Sequence, residues 1–198
     1  MSVDHLLYLH GFRSSPASAK ARQTRMYIDE HHPTWTWCCP QLNVSPRAAM
    51  AQVQALCADW PKERTAVMGS SLGGFYATHL GLLWGCRTVL INPAVHPQTH
   101  GETLVGEFPL WHDPGQLMRF VPHHLSELAE LDRAELPPWP DCMTWVGTHD
   151  EVLDTQTMHD HYRETQFHWV AGADHAMADY PDLLPQIDAF LCAPQAMR

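Results

Sequence analysis

The chain has 198 residues, 45% of them hydrophobic, with eight tryptophans and a formal charge of -10. A chain of that size folds as one domain, burying about 70% of its unfolded surface around one core, and its composition excludes a disordered polymer. Only twelve lysines and arginines are spread along it without a basic run. That argues against nucleic acid or an anionic membrane face as a partner, since both require a positive surface.

No apolar stretch approaches the ~20 residues that span a bilayer. Met1-Ser2-Val3-Asp4-His5 has neither the positive start nor the apolar block of a signal peptide, so the expected location is the cytoplasm. The six cysteines, Cys38, Cys39, Cys57, Cys86, Cys142 and Cys192, form no C-x-x-C pair. They read as reduced core residues rather than disulfides or metal ligands.

Short apolar runs alternate with longer mixed segments, the pattern of strand-helix-strand units on a parallel sheet. The first strand, Leu6–Leu9, runs into His10-Gly11-Phe12 and a helix over Ser18–Glu30. Strand Trp35–Cys39 follows, and Ser45-Pro46 opens a helix over Arg47–Trp60. Strand Ala66–Met68 leads to a helix over Leu72–Leu83 that Gly85 stops. Strand Thr88–Ile91 comes next. Residues 95–140 then break the rhythm, rich in proline and with one clear helical pattern, Leu125–Glu135. Strand Met143–Val146, helix Thr155–Tyr162, strand Phe167–Val170 and helix Asp182–Leu191 complete the chain. One α/β domain over 1–198 is expected, with 95–140 as a lid leaving the strand end over the site.

Gly69-Ser70-Ser71-Leu72-Gly73 lies directly behind the third strand. Gly-x-Ser-x-Gly between a buried strand and a helix is a nucleophile elbow, in which the central serine is strained and its hydroxyl is lifted above the sheet. The positions two before and two after it come close together, so only very small side chains fit there. Both are glycine, which makes Ser71 the candidate nucleophile rather than Ser70.

An activated serine needs a base, and the base needs an acid to fix its tautomer. In a doubly wound hydrolase they come from later loops in the order serine, acid, histidine. Asp150 follows strand Met143–Val146, and His175 follows strand Phe167–Val170. Glu151 and Asp154 are rival acids, with Asp154 also placed to cap the helix beginning near Thr155. Of fifteen histidines only His175 has both the element and the order; His168 falls in a strand and His79 in the helix after the elbow. Two backbone amides should hold an oxyanion, those of Leu72 and, where His10-Gly11 lets the backbone approach substrate, Phe12.

No metal is expected. His96 and His100 have Pro97 between them, and His159 and His161 find no convincing third ligand. Gly69 to Gly74 lacks the lysine and spacing of a phosphate loop, so no nucleotide or other cofactor is expected.

These segments resemble the α/β-hydrolase superfamily and, more narrowly, the small YqiA-type esterases. The resemblance is carried by Tyr8-Leu9-His10-Gly11-Phe12 with Ser14-Ser15-Pro16 and Ser18-Ala19-Lys20-Ala21, and by Gly69-Ser70-Ser71-Leu72-Gly73-Gly74-Phe75-Tyr76-Ala77. It continues through Ile91-Asn92-Pro93-Ala94-Val95, Asp150-Glu151-Val152-Leu153-Asp154 and Gly172-Ala173-Asp174-His175-Ala176, and is blank across the lid. It implies a three-layer α/β-hydrolase fold with about six mainly parallel strands and helices on both faces. It also implies hydrolysis of carboxylic esters with short acyl groups, without a cofactor.

Arg13 and His149 depart from the family pattern. Arg13 either binds an acidic group on the substrate or points to solvent, and His149 either tunes Asp150 or crowds it. Asn92, at the end of its strand, either lines the site or hydrogen-bonds loop backbone and stiffens the lid entry with Pro93. The expected activity is that of a serine esterase acting on a small-molecule ester. A thioesterase with the same triad, or a non-catalytic binding protein on this fold, are the alternatives.

Overall fold

The computed structural model describes residues 2–194, so Met1 of the stretch read for a leader lies outside them. Six strands form one sheet, β1 (His5–Leu9), β2 (Thr36–Cys38), β3 (Thr65–Ser70), β4 (Arg87–Ile91), β7 (Cys142–Gly147) and β8 (Gln166–Val170), in the order β2-β1-β3-β4-β7-β8. Every neighbouring pair in it is parallel. Because the strands are parallel, all their C-terminal ends, and the loops that leave them, gather along one edge.

Alternation along the strands sends side chains to two separate cores. Leu7, Leu9, Val67, Leu90 and Val146 face one side. There they pack under α2 (Pro46–Leu56), α3 (Leu72–Trp84), α5 (Pro122–Leu131) and α6 (Thr155–Tyr162). Leu6, Tyr8, Ala66, Met68, Val89, Ile91 and Trp145 face the other. They meet α1 (Ala19–His31) and α7 (Tyr180–Cys192). A sheet covered on both faces accounts for the continuous apolar strands of the sequence.

Local chemistry sets the helix ends. Ser18 and Ser45 cap α1 and α2 by accepting from the amides of Ala21 and Ala48, and Gly85 closes α3 at φ 63°. The helix expected over Arg47–Trp60 ends at Leu56, where Cys57 leaves helical backbone at φ -108°, ψ 19°. The helix expected over Leu125–Glu135 instead runs over Pro122–Leu131. Pro122 is preorganised for a first turn, and Asp132 turns extended to accept hydrogen bonds from His96 and Gln98.

The segment 95–140 also holds a one-turn helix α4 (Gly101–Leu104) and an antiparallel hairpin, β5 (Gly106–Pro109) with β6 (Leu117–Phe120), which the sequence reading missed. Cys57, Cys86 and Cys142 are buried as expected of core residues, but Cys192 is exposed.

Candidate active site

The turn from β3 into α3 holds Ser71 at φ 57°, ψ -126°, a conformation that costs a side chain about 1–3 kcal/mol. Its surroundings fix it there. The Ser71 amide donates to Ile91 O at 3.0 Å, and Ser71 O accepts from Gly74 at 2.8 Å and from Ala94 at 3.1 Å. A β-carbon at Gly69 would run into the Gly73 carbonyl, and one at Gly73 into the Leu9 carbonyl. Glycine at both positions is therefore a steric requirement of the bend.

The loop leaving β1 passes against this turn. A β-carbon added at Gly11 would lie 3.2 Å from Ser71 Cβ. Among the described residues, neither the Phe12 amide nor the Leu72 amide finds an acceptor. Phe12, Ser71 and Leu72 share one cavity wall. The Phe12 ring is held edge-on by Phe108 and Phe120 of the hairpin, at 5.5 and 5.6 Å between centroids.

The loops leaving β7 and β8 bring Asp150 to His175. His175 Nδ1 donates to Asp150 Oδ2 at 2.7 Å, and the Asp150 side chain is fully buried. Asp150 Oδ1 accepts from the amides of Val152 and Leu153 at 2.9 and 2.8 Å, so the carboxylate is fixed at both oxygens. With its proton on Nδ1, a neutral His175 carries its lone pair on Nε2. The rival acids have other roles. Glu151 accepts the His175 amide at 3.0 Å, and Asp154 caps α6 through the Thr157 amide at 2.6 Å.

Ser71 and His175 are joined through the end of β4. Ile91 O receives the Ser71 amide, while the side chain of the next residue, Asn92, donates to Asp174 O at 3.1 Å and His175 O at 3.2 Å. Asn92 Oδ1 accepts from Gly147 N at 2.8 Å. Lys20 Nζ adds a bond to Ala176 O at 2.7 Å; burial lowers its pKa, against the pull of Asp174 and Asp150. Among the described residues the Ser71 hydroxyl forms no hydrogen bond of its own.

Three residues expected to line the substrate site each hydrogen-bond backbone, and two of them, His10 and Arg13, also line a second cavity described below. Asn92 is fully buried, with both ends of its amide on backbone. His10 is buried too. Its Nε2 accepts from Leu42 N at 3.1 Å, so its proton sits on Nδ1, 3.0 Å from Gly11 O, and burial lowers its pKa. Arg13 neither meets a substrate cavity wall at Ser71 nor points free: it donates to Pro109 O at 3.0 Å and lies 3.9 Å over the Trp111 ring. It ties the first loop to the hairpin. His149 is turned to its own neighbour, with Nδ1 2.9 Å from Thr148 Oγ1.

Ser71 opens on a cavity of about 360 Å³. Its walls are mainly apolar, from Leu72, Val95, Leu104, Leu153 and Met158, with His100, Thr103 and Asp154 at intervals. Val95, His100, Thr103 and Leu104 among them come from the segment 95–140. A second cavity, of about 310 Å³, lies on the far side of Phe12 and Leu72 and is lined by Gln41, Asn43, His112 and Gln116 among others.

Residues 5–192 match the model of the Uncharacterised protein family (UPF0227). A UPF0227 protein of Yersinia pseudotuberculosis is 26% identical over 187 residues, covering 93% of this chain and 97% of the relative. One from Pectobacterium carotovorum is 27% identical over 152 residues, covering 76% and 78%. Among solved structures, mouse alpha/beta hydrolase domain-containing protein 10 superposes with a TM-score of 0.72 at 16% identity, covering 94% of this chain and 89% of that one. Est1E from Butyrivibrio proteoclasticus with ferulic acid bound gives 0.70 at 10% identity, covering 94% and 86%. The fold is thus the α/β-hydrolase fold, and the chain belongs to the UPF0227 family, the YqiA-like group that its motifs resemble.

Proposed function

We propose that this chain is a serine hydrolase that cleaves small carboxylic esters through Ser71, His175 and Asp150. The observation that carries the reading is the fixed Asp150–His175 pair, held to the same strand end that braces the strained Ser71. Two unpaired amides beside that serine, at the wall of an apolar cavity, supply the remaining part.

The chemistry follows from those positions. Ser71 Oγ attacks the ester carbonyl carbon, and His175 Nε2 takes the hydroxyl proton. The imidazolium is stabilised by Asp150, which keeps its own charge. The carbonyl oxygen becomes an oxyanion facing the amides of Phe12 and Leu72; loss of one such donor costs about 3–4 kcal/mol of transition-state stabilisation. Collapse breaks the bond to the leaving alkoxide, which receives the proton from His175. Water, deprotonated by the same Nε2, then attacks the acyl-enzyme and releases the acid and Ser71.

A cavity of about 360 Å³ with short apolar walls suits a small acyl group. Est1E, whose structure carries ferulic acid, has the same fold, which favours an ester substrate without naming one. A fluorophosphonate probe tests the reading: stoichiometric labelling at Ser71, abolished by Ser71→Ala, is expected. A folded wild type that stays unlabelled would favour a binding protein.

A further inference from the structure

At the N-terminal edge of the sheet, away from Ser71, three side chains from two helices converge. His32 directly follows α1, while Asp188 and Cys192 stand one turn apart on α7. Their donor atoms all lie within 4.8 Å of one another. We propose that His32, Asp188 and Cys192 form a zinc site, with water as the fourth ligand.

The distances fit such an ion. Tetrahedral zinc, with its sulfur at about 2.3 Å and nitrogen or oxygen at about 2.0–2.2 Å, separates its ligand atoms by about 3.3–3.6 Å. Cys192 Sγ lies 3.4 Å from Asp188 Oδ1 and 3.9 Å from His32 Nε2. Only the His32–Asp188 pair is closer, at 2.6 Å, because a proton now bridges it, and an ion in the proton's place opens that gap by less than an ångström.

The donor set selects the metal. Thiolate and imidazole favour zinc over magnesium or calcium. The thiol proton passes to solvent, the imidazole offers its Nε2 lone pair with the proton on Nδ1, and thiolate plus carboxylate balance the two positive charges. The ring of His32 is already oriented by stacking on Trp35 at 4.1 Å, and the Tyr27 hydroxyl lies 3.5 Å from the second Asp188 oxygen. His32 and Asp188 are largely buried, whereas Cys192 is exposed, which gives the ion and its water a route from solvent. Bound there, zinc would pin the last turn of α7 to the end of α1. The site is independent of the ester chemistry.

Titration of the untagged full chain with Co²⁺ tests it, since a cobalt–thiolate bond gives a charge-transfer band. One Co²⁺ per chain with that band, displaced by Zn²⁺ and lost in Cys192→Ser, is expected. Zn²⁺ should also raise the Tm of the wild type and not of Cys192→Ser. Absence of the band in the wild type, or an equal band and equal Zn²⁺-dependent Tm rise in Cys192→Ser, would overturn the site and point to other thiols such as Cys38 and Cys39.

Discussion

Asn92 Nδ2 donates to the main-chain carbonyl of His175 at 3.2 Å, so the histidine loop is fastened to the strand that also braces the elbow. Asn92 is 0% exposed and its other end holds Gly147, which leads into the loop of Asp150. One side chain therefore ties the loops of Asp150 and His175 to the strand end that receives the Ser71 amide. Asn92→Ala leaves the buried Gly147 amide unpaired and should cost about 1–3 kcal/mol of stability. In esterase assays kcat should fall by about tenfold or more with KM little changed; an unchanged kcat in a destabilised variant would make Asn92 purely a folding residue.

Asp150 and its rival Asp154 should separate cleanly. Asp150→Asn takes away the charge that faces His175 and should lower kcat by about 10⁴, as in serine proteases. Asp154→Asn keeps a good N-cap for α6 and should leave kcat within a few fold. The reverse ranking would move the acid to Asp154.

A base that already carries a proton cannot accept another. kcat/KM should accordingly fall on acidification from neutral pH, and His175→Ala should lose most turnover while its Tm stays close to that of the wild type. A flat rate profile through mildly acidic pH would exclude a histidine base.

Acyl preference should follow Leu104, which walls the cavity from the one-turn helix α4. Leu104→Ala lengthens the cavity and should shift the optimum in a series of graded acyl esters toward longer chains. An unchanged profile would place the acyl group elsewhere, the cavity beyond Phe12 being the next candidate.

His161 of α6, packed edge-on against His96 at 5.0 Å between centroids, makes the fold sensitive to acid. Burial first, then the neighbouring His96, push its pKa down to about 4, against the pull of Asp132. Between the ordinary value of 6.5 and about 4 the unfolded chain binds a proton that the folded chain refuses, so stability falls with pH through that window. His161→Gln should lose less stability than the wild type in urea melts between neutral pH and about 4. Equal losses would assign the sensitivity to other buried histidines such as His10.

Local signals explain what was legible in the sequence. The elbow is encoded within five residues, and the crowding at Gly69 and Gly73 is what its glycines announced. Asp150 and His175 meet because a parallel sheet puts every strand-to-helix loop on one edge, so chain order alone brings them near. Asp154 as a cap is equally local. The failures are non-local. Arg13 meets Pro109 across 96 residues, and nothing in its neighbourhood in the chain says so. Asn92 was placed at the right strand end with backbone bonding as one of its two readings, and only its partners 55 and 83 residues away select that reading. The hairpin escaped because each of its strands has four residues and the pair begins with Gly106 and holds Pro109.

The grip of the hairpin on the first loop has a mechanical outcome. Phe12 is wedged between Phe108 and Phe120, and Arg13 is clamped beneath Trp111. The hairpin's side chains therefore fix where Phe12, and with it the amide beside Ser71, stands at the cavity wall.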